Sequence, residues 1–115
     1  MNAAMEFDVG PLTWVKSEID LALERTAEAL RQYAAGSDPT QIKFARTHLH
    51  QVRGALAIVG LDGVTQFTDA LEGLLEDFEQ GKVPADEAST KTVLEALDAV
   101  RHYLDDLING EPNQP

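Results

Sequence analysis

Four apolar stripes at helical spacing, separated by short segments rich in glycine, proline and aspartate, leave this chain little choice of fold. In the first stripe fall Leu12, Val15, Ile19, Ala22, Leu23, Thr26, Leu30 and Tyr33. Intervals of three and four line one face of an α-helix. The second stripe holds Ile42, Ala45, Leu49, Val52, Leu56 and Val59, in strict three-four alternation. The third holds Val64, Phe67, Leu71, Leu74, Leu75 and Phe78, and the fourth Val93, Leu97, Val100, Leu104 and Leu107. No stretch shows the period of two that a half-buried strand needs.

The segments between the stripes carry start and stop signals. Pro11 suits a first helical position, and Gly36 ends that helix near Ala35. Asp38-Pro39-Thr40-Gln41 reads as N-cap, N1 and a capping-box glutamine. Gly60 stops the second helix, Asp62 caps the third, and Gly81 stops it. The fourth begins between Ala85 and Thr90, after Val83-Pro84, and closes at Asn109-Gly110. The expected helices lie near 12–35, 39–59, 62–80 and 87–108. Short loops make neighbours antiparallel, so the fold is an all-α, up-down-up-down four-helix bundle, expected to be monomeric. Residues 1–10 read as a flexible lead-in, 11–110 as the bundle and 111–115 as a linker, with the native chain expected to continue past Pro115. Trp14, beside the first stripe, is expected to pack as an aromatic at the end of the bundle.

Composition narrows the class of function. At 115 residues the chain is one domain with a real core. The absence of cysteine removes disulfides and thiolate zinc sites and suits a cytoplasmic protein. No apolar run is long enough to span a bilayer, and no signal peptide is visible at the start. A net charge of −11 argues against nucleic acid and anionic membrane as general partners.

Against that acidity, the stretch from Pro39 to Leu61 contains no Asp or Glu, and Lys43, Arg46 and Arg53 make it basic. On a helix, His50 has Arg46, Thr47, Arg53 and Gly54 for neighbours. It stands about 100° round from the Leu49 core line, at the edge of the stripe. Gly54, in mid-helix, costs roughly 1 kcal/mol relative to alanine. A side chain at 54 would lean back over residue 50, because helical Cα–Cβ bonds tilt towards the N-terminus. A bare position there keeps an imidazole accessible to a large partner; the competing reason for the glycine is tight helix packing. His48, among Phe44, Ala45, Gln51 and Val52, reads as a partly buried boundary residue. The two histidines do not make a metal site, since residues two apart point about 200° apart. His102 reads as a surface residue paired with Asp105 and Asp106.

The run His50-x-x-Arg53-Gly54, with Gly60 ten residues after the histidine, resembles the motif of histidine-containing phosphotransfer (HPt) domains. The residue before the glycine is usually lysine there, and Arg53 is a conservative departure. Ala70-Leu71-Glu72-Gly73-Leu74-Leu75-Glu76 is similar to the helix that follows in chemotaxis-type kinases, with Glu72 on the glutamate that lies beside the histidine. The stretch Leu12-Thr13-Trp14-Val15-Lys16-Ser17-Glu18-Ile19 resembles the opening of the first such domain in CheA-like histidine kinases of type IV pilus chemosensory systems. The likeness covers about Leu12 to Leu107.

The resemblance implies a phosphoryl group taken up on His50 from a histidine kinase catalytic domain and passed to the aspartate of a response-regulator receiver domain. Glu72 would accept a ring N–H, fixing the tautomer and leaving the outer nitrogen as nucleophile. Arg53, and with it Arg46, would face the phosphoryl charge, Lys43 would extend the basic surface, and Gly54 would leave room for the partner. The alternative for Glu72 is a solvated acid, and Glu76, Asp77 and Glu79 read as solvated face. No phosphate loop or carboxylate cluster at metal spacing is present, so no cofactor or metal is expected and the domain should not phosphorylate itself. The competing function is an interaction module that keeps the bundle without the chemistry.

Overall fold

The computed structural model describes residues 10–36 and 38–110. Four helices follow one another: α1 (Gly10–Gly36), α2 (Pro39–Ile58), α3 (Asp62–Gln80) and α4 (Glu87–Ile108). There is no strand among the described residues. The chain is an all-α four-helix bundle. The expected linker 111–115 and all of the lead-in but Gly10 lie outside the described residues, and Gly10 itself opens α1.

Local chemistry sets the boundaries. The Asp38 carboxylate accepts from the Thr40 N–H at 3.0 Å, and Pro39 follows as the first helical residue. Asp86 does the same for α4, accepting from the Ser89 N–H at 2.8 Å. At α3 the reading shifts by one residue. Leu61 occupies the cap position without a side-chain bond, and Asp62 is the first helical residue, an acid beside the positive end of the helix dipole. Gly81, at φ 75°, closes α3 in the left-handed region that glycine enters without steric cost.

The stripes form the core. Leu12, Ile19, Leu30, Ile42, Leu49, Val52, Leu56, Leu75, Val93 and Leu104 are fully enclosed or nearly so. Helix α1 packs on both α2 and α4, and α2 also packs on α3. Two expectations about aromatics fail. Trp14 is 87% exposed, because its position beside the stripe turns it off the buried face. Phe67 is 46% exposed, lying with Val64, Val100 and Tyr103 along a groove of about 320 Å³ between α3 and α4.

Ion pairs report the helix directions. Lys16, near the start of α1, bonds Asp105, near the end of α4, and also Asp20 at 2.7 Å. Arg53, His50 and Arg46 along α2 meet Asp69, Glu72 and Glu79 along α3 in reverse order. Both pairs of helices are therefore antiparallel, and the second pair carries the side chains of interest.

Candidate functional site

The three-four spacing that makes the α2 core stripe also makes a polar stripe beside it: Lys43, Arg46 with Thr47, His50, and Arg53 with Gly54. Antiparallel α3 answers with Asp69, Glu72 and Glu79, while Glu76 accepts from Gln80 on its own helix. His50 stands opposite Glu72, with Nδ1 3.0 Å from Oε2. The His50 side chain is 59% exposed while that of Glu72 is 19% exposed, so the imidazole projects outwards from a carboxylate set into the helix groove.

That contact decides the tautomer. An ionised carboxylate only accepts, so Nδ1 carries the proton and donates it. In the neutral ring Nε2 then holds a free lone pair directed away from Glu72. An Arg53 Nη2 lies 3.5 Å from the same Nδ1 and would need it as acceptor; the shorter, charge-assisted contact to Glu72 prevails.

Arg53 is already balanced by acids. Its Nε lies 3.3 Å from Glu72 Oε1 and 3.6 Å from Asp69 Oδ1. The first contact is an attraction of charges without hydrogen-bond alignment, since both atoms are buried and lack a hydrogen-bond partner. On the other side of His50 the balance is reversed. Lys43 donates to Glu79 Oε2 at 2.7 Å, and Arg46 donates to Glu79 Oε1. Glu79 is thus not a solvated acid: bonds from Lys43 and then Arg46 hold its carboxyl below the usual range.

Between the basic pair and the histidine lies a cleft of about 550 Å³, lined by Lys43, Arg46, Thr47, His50, Gln51 and Glu72. A Cβ built at Gly54 would meet nothing within 4 Å, so this glycine is not there for tight helix packing. It leaves open surface next to the imidazole.

The structure therefore brings together Lys43, Arg46, His50, Arg53, Gly54 and Glu72. The reading of the residues alone omitted Asp69 and the engagement of Glu79. Their spacing from Glu72, three before and seven after, places them on the same face of α3 and was available as a signal. His48 is half-buried, with Nδ1 3.4 Å from Gln51 Oε1. His102 leans towards Asp98 at 3.5 Å rather than towards Asp105 or Asp106. Among the described residues no group of His, Cys, Asp and Glu has the arrangement to hold a metal ion, and no helix is long and apolar enough to cross a membrane.

One comparison with known proteins gives a match. The family model described as Hpt domain matches residues 12–107, which takes in all four helices. No curated protein and no solved structure gave a significant match.

Proposed function

The chain belongs to the Hpt domain family, whose general function is histidine phosphotransfer in phosphorelays, and from that premise we propose that His50 is the residue that carries the phosphoryl group. The observation that supports it best is the His50–Glu72 contact at 3.0 Å on an exposed imidazole. Nε2 attacks the γ-phosphorus of ATP held by a separate kinase domain. The N–P bond forms, the bond to the bridging oxygen breaks, and ADP leaves. Nδ1 keeps its proton, and Glu72 accepts from it and stabilises the positive charge that the ring acquires. In the second transfer a receiver aspartate attacks phosphorus, the N–P bond breaks, and the neutral imidazole returns. The receiver's own Mg²⁺ supports that step.

The partners in this reading are a histidine kinase catalytic domain and a receiver domain, meeting the open surface beside Gly54, in the cytoplasm where ATP is found. The finer proposal is a CheA-like kinase of a type IV pilus chemosensory system as the parent protein. The Leu12 to Ile19 stretch and the acid at Glu72 support it.

The test is labelling by radioactive ATP in the presence of a CheA-type kinase core. Acid-labile, alkali-stable label should appear on the chain. It should vanish in His50→Gln, persist in His48→Gln and His102→Gln, and be discharged by a receiver domain. Label that survives His50→Gln would overturn the assignment, and a chain that binds the kinase but never takes label would be an interaction module.

A further inference from the structure

Two clusters of charge flank His50, and they are not equivalent. Towards the C-terminus of α2, Arg53 faces both Glu72 and Asp69, one cation against two acids. Towards the N-terminus, Lys43 and Arg46 share Glu79, two cations against one acid. The first cluster is left with a negative charge and the second with a positive one. A phosphoryl group brings a charge of about −1.5 to −2 at pH 7. It is repelled by the first and drawn to the second.

Geometry agrees with charge. Helical side chains lean towards the N-terminus, so the His50 ring lies over the turn that holds Arg46 and Thr47. The cleft opens on that side. Arg53 approaches Nδ1, the nitrogen turned to Glu72, whereas the phosphoryl group goes on Nε2.

Resting on the assignment of His50 as phosphoryl carrier, we infer that Arg46, rather than Arg53, is the main cationic contact of the phosphorylated ring, and that Glu79 is a positioning residue that holds Arg46 until the phosphoryl group competes for it. Arg46 is one helical turn from His50, so the exchange needs a side-chain rotation and no movement of the bundle. Lys43 remains on Glu79 and keeps that acid paired when Arg46 leaves.

The experiment avoids any partner protein. In a His48→Gln, His102→Gln background the chain is phosphorylated with potassium phosphoramidate. His50 Nε2 attacks phosphorus, the P–N bond of the donor breaks, and ammonia departs. Titration of the ³¹P shift, with the Nδ1 proton followed separately through the ring ¹⁵N shifts, then gives the second ionisation of the phosphoryl group. A cation in contact favours the dianion and lowers that pKa. Arg46→Gln should raise it by roughly 0.2–0.7 of a unit, the range of a solvent-exposed ion pair, and by more than Arg53→Gln does. Glu79→Gln should lower it by freeing Arg46, and that lowering should shrink when Arg46→Gln is already present. Circular dichroism checks that each variant keeps its helices. A larger rise from Arg53→Gln overturns the inference about Arg46 and leaves His50 as carrier untouched. A Glu79→Gln effect of equal size with and without Arg46 overturns the positioning role. Failure of His50 to take the label at all would remove the carrier assignment and the inference together.

Discussion

His50 on α2 and Glu72 on α3 meet at 3.0 Å although the chain runs through a helix end, a turn and half of the next helix between them. The carboxylate does for the ring what solvent cannot: it holds one tautomer and one orientation before any partner arrives.

Glu72→Gln keeps the size of the side chain and removes its charge. The amide can still accept from Nδ1–H, but it no longer stabilises the positive charge that the ring gains on attack. We expect an unchanged melting temperature and phosphorylation slowed by roughly 2- to 30-fold, taking a charge-assisted bond as worth about 1.5–3 kcal/mol against about 1 for a neutral one. Initial rates with a kinase core and ATP measure it. An unchanged rate would reduce Glu72 to a surface acid.

Gly54→Leu adds a side chain whose Cβ would meet nothing within 4 Å. Leucine also relieves part of the roughly 1 kcal/mol helix-propensity penalty of glycine, a gain of about several tenths of a kcal/mol. The variant should melt at the same temperature or a few degrees higher. Phosphoryl uptake from a kinase should nevertheless be lost, because the leucine leans over the imidazole. A drop of several degrees in melting temperature would contradict the open surface at this position.

Thr90 is 5% exposed and its hydroxyl, buried near the start of α4, has no hydrogen-bond partner. Valine has the same shape without the polar atom. Thr90→Val should therefore stabilise the bundle, by about 1 kcal/mol if the desolvation cost is of the usual size. Urea denaturation at fixed pH measures it, and a loss of stability would mean that the hydroxyl is satisfied in solution.

Acid should loosen the α1–α4 contact. The hydrogen bond from Lys16 holds the Asp105 carboxyl below its ordinary value of 3.8. A depressed folded pKa contributes stability above the unfolded value, and that contribution is lost as pH falls through the folded one. Between pH 5 and 2 the urea midpoint of the native chain should fall more steeply than that of Asp105→Asn. Parallel curves would show that the pair adds nothing.

What could be read without coordinates followed from local physics. A three-four spacing fixes the angular position of every residue on its helix, so the buried faces, the four helices and the exposed place of His50 were all legible. Caps and stops at Asp38, Gly60 and Gly81 depend on a few adjacent residues and were legible for the same reason. Trp14 and Phe67 were misjudged because hydrophobicity says that a side chain would gain from burial, and only neighbouring helices decide whether anything covers it. Glu72 came from a family likeness, since spacing within α2 carries no information about α3.

The sequence by itself thus determined four helices, their apolar faces, a basic acid-free second helix and a histidine at its edge. Tertiary structure decided who faces whom across α2 and α3: Glu72 against His50, two acids against Arg53, and two cations against Glu79. The register between two helices depends on how their buried faces interlock, a sum over contacts far apart in the chain. Charge balance beside His50 depends on that register, and so does the side from which a phosphoryl group is held.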